Sequence, residues 1–276
     1  MSKKVLVTGS SGLIGRFVVP ELRDCDYEVT CTDLNPAANQ GPTIIADLTD
    51  LGQVVGVLAG HDAVIHLAAI PSPRAHPPDV VFRTNVMSTF NVLEAAVTLG
   101  INRLVLASSL AALGFAYRFR DFSPRYVPID DAHPLLPQDV YGLSKQIGET
   151  LADGYARRNP ALSITSLRFT TVIDLEAHRQ HLDAMRARPN TSTGFWGYVD
   201  VRDAALACRL ALEHGAPGHD AFLIAAPETY MDVPTLELLN RYYPGVAHVA
   251  EGFGGRMGVL DCSRAEQVLG FTPRYR

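Results

Sequence analysis

The sequence Val5-Leu6-Val7-Thr8-Gly9-Ser10-Ser11-Gly12-Leu13-Ile14-Gly15 lies at the start of this chain. It predicts an apolar strand that leads through three spaced glycines into an apolar helix, an arrangement typical of a phosphate-binding turn. We expect Gly9 to permit the turn, Gly12 to let a pyrophosphate approach the backbone, and Gly15 to let the helix pack closely. The spacing is G-x-x-G-x-x-G and not the better-known G-x-G-x-x-G, so an ordinary glycine turn is the alternative interpretation.

The composition is typical of a well-buried globular protein. The 276 residues suffice for one large α/β domain, or for one domain with an attached lobe. Hydrophobic residues make up 47% and charged residues 19%, which excludes a disordered chain. A net charge of −5 without a basic stripe argues against a nucleic-acid partner. No apolar run is long enough for a membrane span, and the first strand begins almost at Met1, so we expect neither a membrane segment nor a signal peptide.

Cysteine and histidine spacing gives no sign of a disulfide framework or a metal site. The four cysteines show no C-x-x-C pair, which predicts the reduced thiols of a cytoplasmic protein: Cys25, Cys31, Cys208 and Cys262. His178 and His181 lie three residues apart, but no acid pair or cysteine completes a site around them. We therefore predict no metal.

Strand and helix patterns alternate through the first half of the chain. We predict strands at 5–8, 28–32, 43–46, 63–67, 103–107, 163–169 and 221–225. We predict helices at 13–22, 51–58, 80–99, 140–158, 203–213, 235–242 and 263–269. This alternation indicates an α/β fold with a doubly wound parallel sheet, the Rossmann arrangement. We expect residues 1–170 to form that core and residues 171–276 to form mostly a substrate-binding lobe that interleaves with it.

An acidic residue ends the second predicted strand. Asp33 lies about 20 residues beyond the glycine turn, where a carboxylate can accept hydrogen bonds from an adenosine ribose. Its charge would repel a 2′-phosphate and so favours NAD over NADP as the ligand of the turn. A turn-initiating Asp before Asn35-Pro36 is the alternative reading. Asp47-Leu48, after the third strand, could meet the adenine edge, or Asp47 could cap a helix.

Tyr141 and Lys145 stand four residues apart on a predicted helix, so they share one face. Lys145 is the single internal lysine in a chain whose other basic residues, apart from Lys3 and Lys4, are arginines. A nearby ammonium favours a phenolate, so we expect Lys145 to lower the pKa of Tyr141 toward neutrality and to make it a proton shuttle. A surface tyrosine beside a solvated lysine is the alternative.

Two serines end the fifth predicted strand. Ser108 and Ser109 could orient a substrate oxygen beside Tyr141, or could be plain strand-end polarity. We do not expect serine-nucleophile chemistry, because no G-x-S-x-G elbow surrounds them. The single tryptophan, Trp196, could stack on a substrate, but we expect it to pack inside the lobe.

Together these motifs resemble the extended short-chain dehydrogenase/reductase family, the NAD-dependent epimerase/dehydratase type, over essentially the whole chain. The matching motifs follow the family's order: Thr8-Gly9-x-x-Gly12-x-x-Gly15, Asp33, Asp47-Leu48, His66-Leu67-Ala68-Ala69, Asn85, Ser108-Ser109, Tyr141-x-x-x-Lys145, Tyr198-Val199-Asp200-Val201-Arg202-Asp203, Leu260-Asp261-x-Ser263-x-Ala265 and Leu269-Gly270-Phe271-x-Pro273.

The resemblance implies NAD as cofactor and hydride transfer at a carbinol carbon. It implies Tyr141 as the acid/base, Lys145 as its partner and a ribose ligand, and Ser109 as the hydrogen-bond partner of the reacting oxygen. The remaining cofactor-binding residues that it implies are Gly9, Ser11, Gly12, Leu13, Ile14, Gly15, Asp33, Asp47, Leu48, Leu67, Ala68, Ala69 and Asn85. It also suggests a homodimer through the two long helices.

Departures from the family pattern bear on the substrate. Leu110 and Ala111 replace the acidic residues of the dehydratases, and Arg168-Phe169-Thr170-Thr171-Val172 lacks the Asn and Gly-Pro turn of many sugar-nucleotide enzymes. We therefore expect a dehydrogenase of a sugar, sugar acid or related alcohol, similar to the uronate dehydrogenase branch, with a sugar-nucleotide epimerase as the alternative. Candidate substrate residues are Arg74, Ser108, Arg118 and Thr170; further loop arginines that could clamp an anion are Arg120, Arg179, Arg186 and Arg188.

Overall fold

The computed structural model describes residues 3–37, 41–177, 179–189 and 194–275, without the side chains of Arg179 and His181. Its centre is a seven-stranded sheet in which every pair of neighbours is parallel. The order along the sheet is β10-β7-β5-β4-β1-β2-β3. These strands are β1 Lys4–Thr8, β2 Glu28–Asp33, β3 Thr43–Ile45, β4 Ala63–His66, β5 Arg103–Ser109, β7 Ser163–Phe169 and β10 Gly218–Ile224. The predicted parallel, doubly wound α/β fold is confirmed.

Helices cover both faces of this sheet. They are α1 Gly15–Arg23, α2 Leu51–Leu58, α3 Pro78–Leu99, α4 Val140–Arg158, α5 Arg179–Arg186, α6 Val201–His214, α7 Thr235–Tyr242 and α8 Ser263–Leu269. One apolar core lies between the sheet and α1, α6 and α8, and another lies between the sheet and α2, α3 and α4. All four residues of β4 are buried, as expected for a central strand of a parallel sheet.

The chain reverses its direction of winding between β1 and β4, which are neighbours in the sheet. Strands β2 and β3 continue to one side of β1, whereas β5, β7 and β10 continue to the other side of β4. The crevice outside the carboxyl ends of such a pair is the usual ligand site of an open α/β sheet. The glycine turn follows β1 directly, so the fold places it at this crevice.

The chain beyond β5 holds elements that the sequence patterns did not predict. They are β6 Tyr126–Val127, β8 Thr171–Ile173, β9 Tyr198–Asp200, β11 His248–Val249 and helix α5. β8 pairs with β9 and β6 pairs with β11, away from the main sheet. These elements and the loops around them form a lobe. An apolar cluster that contains Phe115, Trp196 and Tyr243 fills it. By contrast α6, β10 and α8 pack on the main sheet.

Trp196 is fully buried, and its indole Nε1 donates to the carbonyl of Pro189 at 2.9 Å. The expectation that it packs inside the lobe is therefore confirmed. The four cysteines are free thiols. Within the ranges given above, every helix is too short or too polar to serve as a membrane span.

Candidate active site

The glycine turn is shaped by the close approach of neighbouring backbone. Gly9 has a φ of +66°, and a Cβ there would lie 2.6 Å from the amide nitrogen of Ala68. A Cβ on Gly15 would lie 2.6 Å from the carbonyl oxygen of Ser10, so this residue lets α1 begin against the turn. A Cβ on Gly12 would meet only the Gly9 carbonyl, at 3.2 Å, and Gly12 is exposed. The turn therefore presents bare backbone at Gly12, as an approaching pyrophosphate requires.

The turn also explains a small error in the predicted helix. The sequence predicts a helix from residue 13, whereas α1 begins at Gly15. Residues up to Ile14 remain in the turn, where the Gly12 amide donates to the Gly9 carbonyl at 3.0 Å. The N-terminal end of α1 consequently lies at the same crevice, where its dipole favours an anion.

A cavity of about 590 Å³ extends from the turn toward β2 and β3. At its edge, Asp33 accepts hydrogen bonds from the backbone amides of Ser11 at 3.0 Å and Asn35 at 3.1 Å. Asp33 therefore both ends β2 in a turn and ties that turn to the glycine loop. The predicted cofactor residues in the lining are Gly9, Ser11, Gly12, Asp33, Asp47, Leu48, Leu67, Ala68 and Ala69.

A second cavity of about 450 Å³ continues from the turn toward β5, α4 and the lobe. It shares Gly9, Gly12 and Leu67 with the first cavity, so the two form one continuous cleft. Its lining contains Leu13, Ile14, Gly15 and Ala69 together with the predicted catalytic residues Ser109, Tyr141 and Lys145. The cleft thus brings together every predicted cofactor-binding residue except Asn85.

An N-terminal cap fixes Tyr141 in the first turn of α4. Asp139 is the N-cap of this helix, and its Oδ1 accepts from the backbone amides of Tyr141 and Gly142, both at 2.9 Å. Tyr141 is 9% exposed and lies with Ser109 in the lining of the second cavity. Lys145 Nζ lies 5.7 Å from the centre of the Tyr141 ring. The shared helical face predicted for Tyr141 and Lys145 is therefore present.

Burial controls the protonation of this pair. It raises the pKa of Tyr141 to about 12, against a hydrogen bond from Ser109 that lowers it. Burial also lowers the pKa of Lys145 to about 8, against the charge of Glu149, which raises it. The expectation that Lys145 lowers the pKa of Tyr141 toward neutrality is wrong for this structure, because the loss of hydration outweighs any attraction from the lysine.

Asn85 lies beside the cleft and not in its lining. Its amide accepts from the Ile70 backbone N–H at 2.8 Å and donates to the Ile70 carbonyl and to Ser144 Oγ, each at 3.1 Å. These contacts tie the segment after β4 to α3 and α4. Asn85 is thereby placed to hold the walls of the cleft, and its polar atoms are engaged with protein.

The candidate substrate residues separate into two groups. Thr170 lines the second cavity, and so does Ser108, although the Ser108 hydroxyl donates to Glu149 at 2.5 Å. Arg118 lies outside the lining and binds Asp121, the Phe115 carbonyl and the Tyr243 hydroxyl. Arg74 is exposed, with its guanidinium 5.3 Å from the centre of the Tyr117 ring.

The structure adds cleft residues that sequence reasoning missed. Tyr117 lies in the long connection after β5, and its ring meets that of Tyr141 edge-on with centroids 6.4 Å apart. Its backbone φ of 52° gave no sequence signal, although an aromatic residue in a long loop at the carboxyl edge was a hint. The other additions to the substrate side of the lining are Leu110, Ala111, Ala116, Phe169, Thr171, Val172 and Gly194.

No group of three His, Cys, Asp or Glu side chains that could hold a metal ion occurs among the described residues. His178 and the side chain of His181 lie outside them.

Known proteins with similar sequences are sugar-converting enzymes. L-Arabinose 1-dehydrogenase (NAD(P)(+)) of Haloferax volcanii is 30% identical over 78% of this chain and 84% of its own length. UDP-glucose 4-epimerase of Corynebacterium glutamicum is 26% identical over 99% of this chain and 91% of its own length. Uronate dehydrogenase of Pseudomonas putida is 32% identical over 56% of each chain.

A solved structure shares the fold over the whole chain. It is a short-chain dehydrogenase/reductase superfamily protein from Agrobacterium tumefaciens with bound NAD, and it is 25% identical with a TM-score of 0.75, covering 99% of this chain and 93% of its own. The family described as "NAD dependent epimerase/dehydratase family" matches residues 5–225. With the motifs, the parallel sheet and this match in agreement, the chain belongs to the NAD-dependent epimerase/dehydratase family and is an enzyme of the extended short-chain dehydrogenase/reductase type.

Proposed function

We propose that this protein is an NAD-dependent dehydrogenase that oxidises a secondary alcohol of a small sugar or a related molecule and releases NADH. The observation that carries this proposal is the continuity of the cleft. One wall contains the glycine turn, and the same cleft ends at Ser109, Tyr141 and Lys145. A protein that only bound a dinucleotide would have no use for a buried acid/base at the end of the cleft away from the adenosine side.

The chain's own residues fit NAD. The pyrophosphate would lie over Gly12, where a Cβ would intrude and where the start of α1 offers N–H groups. Asp33 would hold the adenosine ribose, Asp47 and Leu48 would border the adenine, and Lys145 would reach the nicotinamide ribose. The chemistry that the cofactor supplies is acceptance of a hydride at nicotinamide C4.

The protein's part in the reaction is to orient the alcohol and move one proton. Ser109 would donate a hydrogen bond to the reacting oxygen, and Tyr141 would remove the hydroxyl proton as the C–H bond breaks. Burial raises the pKa of Tyr141 to about 12 and Ser109 lowers it only in part, so this direction needs further stabilisation of the phenolate. The Lys145 ammonium would stabilise the same phenolate electrostatically.

The lining of the catalytic side favours a small, uncharged substrate. Among the described residues of that lining, Lys145 is the one charged side chain. The remainder is apolar, aromatic or hydroxylic, with Tyr117 and Phe169 as ring surfaces and Thr170 and Thr171 as hydroxyls. Such a surface suits the hydroxyls and C–H faces of a free sugar, and the similarity to L-arabinose 1-dehydrogenase supports the same class. For a sugar acid, Arg74 beside Tyr117 is the nearest candidate partner of the carboxylate.

A sugar-nucleotide epimerase is the second candidate, since a UDP-glucose 4-epimerase aligns with nearly the whole chain. An epimerase would return the hydride to its substrate and form no net NADH. Against it stands the lining described above, whose one charged side chain among the described residues, Lys145, is already assigned to the cofactor ribose, because a UDP-sugar brings a diphosphate that arginine or lysine usually binds.

Incubation with NAD and a panel of free aldoses, uronates and UDP-sugars separates these candidates. The proposal expects NADH to accumulate in proportion to the sugar consumed, with at least one free aldose or uronate. Interconversion of UDP-sugars without NADH would replace it with the epimerase. Conversion of no member by either route would overturn both.

We also propose a cytoplasmic homodimer that associates through α3 and α4. Exposed apolar side chains on these helices support the interface, namely Phe82, Met87 and Leu143. The free cysteine thiols support a cytoplasmic location, since thiols stay reduced there. Light scattering of the wild type and of Leu143→Asp tests the interface: the expected result is a dimer that the substitution converts to a monomer, and a wild-type monomer would contradict it.

A further inference from the structure

A buried ion pair lies directly behind the catalytic residues. Arg168 Nη2 is 2.7 Å from Glu149 Oε2, and Arg168 Nε donates to Glu149 Oε1 at 2.9 Å. The two side chains are 7% and 6% exposed. The third guanidinium nitrogen, Nη1, donates to the carbonyl of Asp131 at 2.8 Å. A two-point pair of this kind is rigid, because both charges are desolvated and their geometry is fixed by parallel hydrogen bonds.

Glu149 joins three elements that each carry a residue of the cleft. Ser108 on β5 and Arg168 on β7 are direct partners in the parallel register. From α4, Glu149 Oε1 accepts from both the Ser108 hydroxyl, at 2.5 Å, and Arg168. The neighbours of these residues are Ser109 and Phe169, and Lys145 stands one helical turn before Glu149. A single carboxylate thus fixes the spacing of β5, β7 and α4 where the catalytic groups lie.

The same carboxylate determines the charge around Lys145. The groups that face this lysine are Glu149 and Tyr141 from α4, His66 from β4 and the Ala107 carbonyl from β5. Burial lowers the pKa of His66 to about 3 and raises that of Tyr141 to about 12, so both are uncharged at neutral pH. Glu149 is therefore the one anion in this set, and its charge raises the pKa of Lys145.

We propose that Glu149 is a positioning residue whose carboxylate keeps Lys145 an ammonium and whose contact with Ser108 fixes β5. Its effect on turnover rests on the proposed function, whereas its effect on Lys145 does not. The charge effect needs the carboxylate alone, and the positional effect needs the contact with Ser108. The two effects can therefore be separated by substitution.

The chain has only three lysines, which permits a direct measurement. In full-length protein labelled with ¹³C-lysine, NMR titration would follow Lys145 beside the two signals of Lys3 and Lys4. In Glu149→Gln we expect the pKa of Lys145 to fall by about one pH unit or more, because its anionic neighbour is lost. In Arg168→Gln the carboxylate remains, so we expect the pKa of Lys145 to stay or to rise.

Asp203→Asn is the matched control. Asp203 is fully buried and accepts from the backbone amides of Arg274 and Tyr275, so its loss loosens a different junction. It should lower the melting temperature without moving the pKa of Lys145. A general loosening around the ion pair would shift Lys145 in the same direction in Glu149→Gln and Arg168→Gln, and that result would overturn the proposal. An unchanged pKa in Glu149→Gln would overturn it as well.

Ser108→Ala tests the positional effect while both charges are kept. We expect the pKa of Lys145 to be unchanged and kcat to fall about tenfold with little change in KM, since the tie between Glu149 and β5 is lost. An unchanged kcat would overturn this part. Because the NMR titration requires no turnover, failure to find a substrate for the wild type would refute the proposed function and leave the charge effect to be judged on its own.

Discussion

Lys145 Nζ donates a hydrogen bond of 2.6 Å to the main-chain carbonyl of Ala107, which connects helix α4 to the end of β5. This bond places the ammonium beside the strand that carries Ser109 and 5.7 Å from the ring centre of Tyr141. The relationship depends on a slender side chain ending in a compact charge, because the carbonyl is reached from within a buried site.

Replacement of Lys145 by arginine tests that dependence. The planar guanidinium is larger and cannot take the ammonium position against the Ala107 carbonyl, although it keeps the charge. We expect kcat/KM to fall about 100-fold or more, within the range for loss of a proton-transfer group. Lys4→Arg is the control, since Lys4 forms an exposed ion pair with Glu28. Similar activity in Lys145→Arg and the wild type would show that only the charge matters.

Asp33→Ala addresses the choice of cofactor. The Asp33 carboxylate borders the proposed adenosine side of the cleft and would repel a 2′-phosphate. We expect the ratio of NADP to NAD affinity to rise by about tenfold or more, corresponding to about 1.4 kcal/mol of removed repulsion. Asp62→Ala, at a carboxylate that accepts from the Lys4 backbone, should leave the ratio unchanged. Unaltered selectivity in Asp33→Ala would contradict the ribose role.

Gly15→Ala tests the geometry of the turn. The new Cβ would lie 2.6 Å from the Ser10 carbonyl, so the turn must shift to accept it. We expect NAD binding, measured by isothermal calorimetry, to weaken about tenfold or more as the backbone moves from the pyrophosphate. Gly56→Ala in helix α2 has open space around its Cβ and should instead stabilise the protein by about 0.5 to 1 kcal/mol. Intact NAD binding in Gly15→Ala would refute the close-packing role of this glycine.

The buried side chain of His66 should make the free energy of unfolding decrease in acid. It is buried on β4, with Nδ1 2.8 Å from Thr8 Oγ1 and Nε2 3.4 Å from Thr89 Oγ1. Burial and the Lys145 charge lower its pKa from 6.5 to about 3. Between about pH 6.5 and pH 3, His66 is therefore protonated in the unfolded chain and neutral in the folded chain. The free energy of unfolding consequently decreases as the pH falls through this window.

Between pH 7 and pH 5, His66 should remove about 2 kcal/mol of unfolding free energy, measured by urea titration. His66→Gln should lose this part of the pH dependence, while His76→Gln, at an exposed position, should retain it. Parallel pH profiles for the wild type and His66→Gln would contradict the assignment.

The sequence was informative where structure is local or periodic. Apolar runs such as Val5-Leu6-Val7 predicted the central strands, and the glycine spacing predicted the turn, because backbone conformation there depends on neighbouring residues. Tyr141 and Lys145 could be paired because helical spacing alone puts them on one face. The short strands β8 and β9, and the mostly polar helix α5, carry too few periodic residues to be predicted.

Contacts between distant segments could not be predicted. The sequence made Arg118 a candidate substrate residue. In the structure its guanidinium binds the hydroxyl of Tyr243, which lies 125 positions away in the sequence. Ser108 was named a substrate candidate from its position at a strand end; its bond to Glu149 could not be predicted, because the two residues become neighbours only when α4 packs across β5. Similarly, the pKa of Tyr141 was predicted from its helical neighbour alone, whereas burial by the whole site controls it. Glu149 itself continues the spacing from Tyr141 and Lys145 by one more turn, and this was the one signal that could have found it.

The central claim is that Tyr141 moves the proton during net oxidation of the substrate by NAD. The most direct test is the rate of NADH formation by Tyr141→Phe, with bound NAD measured on the same protein. Tyr155→Phe on the same helix, where the hydroxyl binds Glu94, is the matched control. We predict a fall in kcat of about 10² to 10⁴ for Tyr141→Phe with NAD binding retained, and near wild-type turnover for Tyr155→Phe. Full NADH formation by Tyr141→Phe would contradict the account.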